Sequence, residues 1–205
     1  MEIKTKQIKD SLGEAQIVYE TEMNRGKGNI SLFTSALKNQ EPQLTQSEAE
    51  KLFLGETVDL SLSYRKPNGE LGEPSPCSIV PIRIEEKNNQ LANNSFESRV
   101  LKIGVAWHML KKEDQSLYGY RVFNKQANDG HGVPVLFFKK ALIGDDKFVE
   151  LSPKDCFELI EKGSVEVEGK TVFYLGEIQK RNSGESYKVQ RARLGLSKAS
   201  SEAKA

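Results

Sequence analysis

Leu151-Ser152-Pro153-Lys154-Asp155, running on through Leu159 and Gly163 into Val165-Glu166-Val167, spells out a helix start, a helix stop and a strand in a single run. Ser152 is a helix-capping residue, and Pro153 suits the first helical position because its missing N–H has no partner there anyway. Asp155 stands where a capping box wants its acid. Gly163 supplies a left-handed stop, and the alternation at Val165, Glu166 and Val167 predicts a half-buried strand.

The chain uses the same phrase earlier. Leu44-Thr45-Gln46-Ser47-Glu48 runs through Leu52 and Gly55 into Val58-Asp59-Leu60. Thr45 and Glu48 form the capping-box pattern, and Leu44 and Ala49 are spaced as a small hydrophobic staple. Leu52 and Phe53 match Leu159 and Ile160, while Gly163 falls one residue later than Gly55 would place it. Two readings of the likeness stand. Either the chain carries two related modules, or helix, glycine stop and strand are common grammar used twice.

Each copy continues into a predicted hairpin. Val58, Leu60, Leu62 and Tyr64 alternate with polar residues until Lys66-Pro67-Asn68-Gly69 turns the chain toward Ile79, Val80, Ile82 and Ile84. Pro81 inside that second strand asks for an edge or a bulge. Glu168-Gly169-Lys170 likewise turns into Thr171 to Leu175, and Tyr187 to Leu194 reads as a last strand. Between the copies, Leu101, Ile103, Val105 and Trp107 alternate. So do Tyr118, Tyr120 and Val122, and Val133 to Phe138 is strand-sized, which together predicts an antiparallel meander. The first forty residues are less regular. Ala15 to Glu20 suits a strand, Arg25-Gly26-Lys27-Gly28-Asn29 a turn, and Ile30, Phe33 and Leu37 carry the spacing of a short helix.

The expected class is therefore α+β, antiparallel and β-rich with short helices, built from two related helix-plus-hairpin modules. Residues 1–40 form an N-terminal segment of uncertain structure, 41–97 the first module, 98–150 the central meander, 151–196 the second module and 197–205 a disordered tail. Lys87 to Ser98, with its paired asparagines, is the best linker.

Composition narrows function mainly by exclusion. The 205 residues are 37% apolar and 29% charged, with a formal net charge of +1, so there is no overall basic footprint for nucleic acid. No apolar run approaches the roughly 20 residues of a membrane helix, and Met1 to Lys6 lacks a signal-peptide core. A cytoplasmic protein with no membrane partner is expected. Cys77 and Cys156 make no disulfide framework. With two cysteines and two histidines widely spread, neither a metal nor another cofactor is expected.

Charge is unevenly distributed. Residues 41–97 hold 5 basic and 10 acidic residues, whereas 170–205 hold 8 basic and 3 acidic. The basic end interleaves Lys188, Arg191 and Arg193 with Tyr187, a pattern that can track a phosphate backbone and stack a base. The bland alternative is a solvated or acid-paired face. His131 in Asp129-Gly130-His131-Gly132 is a candidate for acid–base chemistry, weighed against a plain glycine turn, and the paired carboxylates Glu113-Asp114 and Asp145-Asp146 are weaker candidates for such work or for a divalent metal. His108 reads as a packed strand end, and the pairs Glu113-Asp114 and Asp145-Asp146 as turn acids.

The capped helix, glycine stop and strand resemble uncharacterised domains of conjugative and plasmid-element proteins of Bacteroidetes. Lys102-Ile103-Gly104-Val105-Ala106-Trp107 is similar to a small plasmid-borne family. That resemblance implies a mobile-element accessory protein and does not extend to an activity. The expected function is a non-enzymatic macromolecular binding or adaptor protein, with protein or nucleic acid as partner. The alternatives are a nucleic-acid-binding protein using the basic C-terminal strand and a small hydrolase using His131 and nearby acids.

Overall fold

A computed structural model describes residues 1–9, 15–22, 28–36, 40–66, 68–88, 97–125, 132–180 and 189–197. The described residues are strand-rich α+β, with two short helices among them, and the chain divides into two compact units, Met1–Gly104 and Val105–Ala205. Among the described residues no helix is long and apolar enough to cross a membrane.

The first unit opens with β1 (Ile3–Lys9), β2 (Ala15–Glu22) and β3 (Asn29–Phe33), an antiparallel meander. β3 replaces the short helix expected from Ile30, Phe33 and Leu37. The helical spacing is real, but Leu32 is buried between two more exposed neighbours, and full antiparallel pairing with β2 supplies the backbone partners. Leu37 and the Arg25-Gly26-Lys27 part of the expected turn lie outside the described residues. β4 (Gln40–Glu41) pairs with β5 (Val58–Tyr64), and α1 (Gln46–Phe53) lies between them in sequence. β5 pairs antiparallel with β6 (Ser75–Asn88), which in turn neighbours β7 (Glu97–Leu110). β3 and β7 pair in parallel through Ile30 with Arg99 and Ser31 with Val100. The neighbour order of this unit is therefore β1-β2-β3-β7-β6-β5. Pro81 sits just past the last β5–β6 pair, Val58 with Ile79, so its missing N–H costs that ladder nothing.

The second unit takes the last residues of β7, then β8 (Leu117–Asn124) and β9 (Val133–Phe138) as a second antiparallel meander. A separate hairpin follows, β10 (Lys140–Gly144) with β11 (Lys147–Glu150), turning at Asp145 and Asp146. After α2 (Pro153–Lys162) come β12 (Ser164–Val167), β13 (Lys170–Lys180) and β14 (Val189–Gly195), paired in succession. β14 lies parallel to β9. The neighbour order here is β7-β8-β9-β14-β13-β12.

Both helices start as their sequences dictate. Thr45 Oγ1 accepts from the Glu48 N–H, and the Glu48 carboxylate accepts from the Thr45 N–H at 2.7 Å. Ser152 and Asp155 repeat the exchange, again at 2.7 Å. Leu44 with Ala49 and Leu151 with Cys156 are buried around these caps. Gly163 ends α2 at φ 76°, where a Cβ would be strained, and its carbonyl accepts from the Tyr174 N–H at 2.9 Å. α1 packs on β5 and β6, α2 on β8, β12 and β13, and the buried leucines Leu52 and Leu159 face inward.

Candidate functional site

In a sheet, directly opposed residues share a face, so register decides which side chains stand together. In the second unit Trp107 opposes Arg121, Arg121 opposes Leu136, Leu136 lies beside Arg191, and Arg191 opposes Ile178. These five residues form one row across β7, β8, β9, β14 and β13. The neighbouring rows of the same face bring Met109, Gly119 and Phe138 to one side and Phe123 with Pro134 to the other. Arg193 follows Arg191 on this face by the period of the strand, and Lys125 is the exposed turn residue just past the end of β8.

The opposite face is the core. Tyr120, Val122, Val135 and Phe137 are buried there, and α2 covers β8. Because apolar side chains on this inner face already satisfy the fold, the outer face is left with its own composition. It carries Trp107, Phe123 and Phe138 together with Arg121, Lys125, Arg191 and Arg193, and no carboxylate at any register position named above. Phe123 is 53% exposed and Ile178 44%, whereas Leu136 at the centre is buried.

Local contacts hold two of these cations in place. The Arg191 guanidinium lies 5.3 Å from the centroid of the Phe138 ring, a cation–π arrangement that fixes its plane and leaves N–H groups at its edge. Arg193 donates to the Leu175 carbonyl at 2.8 Å, where β13 shifts register between Tyr174 and Glu177. Gly119 is required by close packing, since a Cβ there would meet the Phe137 carbonyl oxygen at 2.5 Å. A groove of about 620 Å³ opens beside Phe138, between Tyr118 and the side chains of Lys111, Lys139 and Lys140. Glu150 at its wall pairs with Lys139 at 3.0 Å.

The first unit handles its cations differently. Lys6 pairs with Glu20, Arg99 with Glu86, and Lys102 and Arg83 with Glu85, at 3.4, 3.2, 3.4 and 2.7 Å. Burial alone would raise the Glu85 carboxyl, but the hydrogen bonds and charges of Arg83 and Lys102 together outweigh it and hold the group below its ordinary range. Among the described residues Arg121, Lys125, Arg191 and Arg193 have no such carboxylate partner.

The residues singled out in the sequence fare unequally. Arg191 and Arg193 stand on the outer face beside Phe138, whereas Tyr187 and Lys188 lie outside the described residues. So do His131 and Asp129, the pair on which the hydrolase reading rested. His108 packs edge to face on Tyr120, with centroids 5.7 Å apart. Asp114 accepts from the Ser116 hydroxyl and N–H in an exposed turn, and those bonds hold its carboxyl low. Asp145 and Asp146 are exposed at the β10–β11 turn. Among the described residues no cluster of three histidine, cysteine or acidic side chains is placed to hold a metal. Reading the sequence strand by strand missed Arg121, Phe123 and Trp107 as one group. The signal that finds them is cross-strand register, which no single strand contains.

The chain matches no family model, no curated protein and no solved structure.

Proposed function

We propose that the chain is a non-enzymatic macromolecular binding protein built from two related helix-plus-hairpin modules. The relation between modules is supported by pairing order. In each unit a capped helix is followed by three strands, and the last of these lies parallel to the third strand of the opening meander, while β4 in the first unit and the β10–β11 hairpin in the second have no counterpart in the other. Thr45 with Ser152, Ala49 with Cys156, Leu52 with Leu159 and Val58 with Val165 all keep one constant spacing in sequence.

One observation carries the binding role: the outer face of the second unit combines the exposed Phe123 ring and the half-buried Trp107 and Phe138 with cations that no acid among the described residues neutralises. A face of that composition is costly to keep unless something covers it, because exposed aromatics invite non-specific association. Placement as an accessory protein of a mobile element rests on the resemblance in the capped-helix phrase and in Lys102 to Trp107.

A photo-crosslinking residue in place of Phe123 tests this. In the native host it should capture a macromolecule, and the same residue in place of the exposed Lys66 of the first unit should not. Equal capture at both positions, or none at Phe123, would count against a binding face here.

A further inference from the structure

We infer that the outer face of the second unit binds single-stranded nucleic acid, which rests on the binding-protein reading above and names its partner. Three features of the face select this occupant. The cations are mostly arginines on strands, and two of them are held in orientation, Arg191 over Phe138 and Arg193 on the Leu175 carbonyl. A guanidinium so oriented offers a planar fork to a phosphate. Trp107 stands at the β7 end of the arginine row and Phe123 lies in the neighbouring row on β8, so two rings share the face with the arginines, and aromatic rings beside cations are what stacks unpaired bases. The absence of carboxylates at these register positions removes the repulsion that would meet a polyanion.

Double-stranded partners fit less well. A duplex hides its base faces in its own stack and is read by an element that enters a groove, whereas this face is a row of strands with rings lying on it. A protein partner with an acidic surface would satisfy the arginines, but it gives Trp107 and Phe123 no repeated planar surface to match. The first unit presents the contrasting case. Among the described residues its sheet cations Lys6, Arg83, Arg99 and Lys102 are already paired with Glu20, Glu85 and Glu86.

Fluorescence anisotropy with labelled strands of about 15 nucleotides, as DNA and as RNA, and with a duplex of the same length, tests the inference on the full chain. At least one single strand should bind more tightly than the duplex. Phe123→Ala should weaken that binding by about tenfold with no change in salt slope, as expected for one lost stacked base. Arg121→Ala with Arg191→Ala should flatten the slope of log affinity against log salt by about 1.4, two phosphate contacts at about 0.7 each. Thermal melts check that each variant is folded, and Phe123→Leu, which keeps apolar bulk without the ring, should be as weak as Phe123→Ala. Which sugar is preferred identifies the natural strand.

No binding at low salt overturns the inference, as does duplex binding at equal affinity that Phe123→Ala leaves intact. Those results leave the broader reading standing if the crosslinker at Phe123 still captures a protein in an Arg191-dependent way. Failure of both experiments removes the binding face altogether.

Discussion

At the scale of single residues, the inner face holds a polar group that the fold must keep neutral. Tyr174 stacks on Phe137 and donates from its hydroxyl to Glu177 at 2.5 Å, and Asn124 donates to the same carboxylate oxygen at 2.9 Å. Burial first, then the bond and charge of Glu177, push the Tyr174 hydroxyl well above its ordinary 10.0. The protonated form is thus favoured by folding. Its contribution is fully present below about pH 10 and is lost as pH rises beyond it, where the unfolded chain sheds the proton first. An ultraviolet titration should therefore find one tyrosine that ionises only with alkaline unfolding, and Tyr174→Phe should abolish that step while costing about 1 kcal/mol in a denaturant melt. The two thiols make a parallel case. Burial, then the nearby Asp59 charge, raise the Cys77 thiol to about 11, and burial raises Cys156 further. Both cysteines are free and buried, so a thiol reagent at neutral pH should find them slow in the native chain and fast in denaturant. Of this scale the sequence showed Arg191 and Arg193 as cations among aromatics. It did not show Phe138 beneath Arg191, because that contact joins strands far apart in the chain.

At the scale of elements, legibility followed the locality of the signal. Both helices were readable to their caps because a capping box is complete within four residues. β8 was readable because its apolar residues alternate at Tyr118, Tyr120 and Val122, and β9 because Val133 to Phe138 is an apolar run of strand length. β1 was not, since Lys4, Lys6 and Lys9 dilute its pattern, as is common in a strand with one neighbour. The hairpin β10–β11 was represented only by its turn acids, although Ala141, Ile143 and Val149 alternate as buried residues. β3 went the wrong way, toward a helix, because a spacing of three and four occurs by chance in a short run and pairing with β2 was invisible. The helix starts can be checked directly. Thr45→Ala and Ser152→Ala should each lower unfolding stability by about 1 kcal/mol in denaturant melts. Gly163→Ala, forced to φ 76°, should cost about as much, whereas Gly119→Ala should cost more because its Cβ would press on the Phe137 carbonyl.

At the scale of the whole molecule, an overall charge of +1 conceals an acidic stretch, 41–97, and a basic end, 170–205. The balance explains why total charge gave no hint of a polyanion partner, while register within the second unit did. If a single strand binds there, hydrogen exchange should slow at β8, β9 and β14 and stay unchanged at β1 and β2, measured with saturating oligonucleotide. The parallel seam between β9 and β14 has a consequence in time. It is registered by only two residue pairs, Gln190 with Val135 and Arg191 with Leu136, and it joins strands separated by the β10–β11 hairpin, α2, β12 and β13. Hairpins close locally and early, whereas so distant a pairing has to wait for loop closure. Arg191 is itself one of the seam residues. During refolding the chain should therefore regain its secondary structure first and its capacity to take up a ligand on this face only afterwards, so that competence arrives as the last act of assembly.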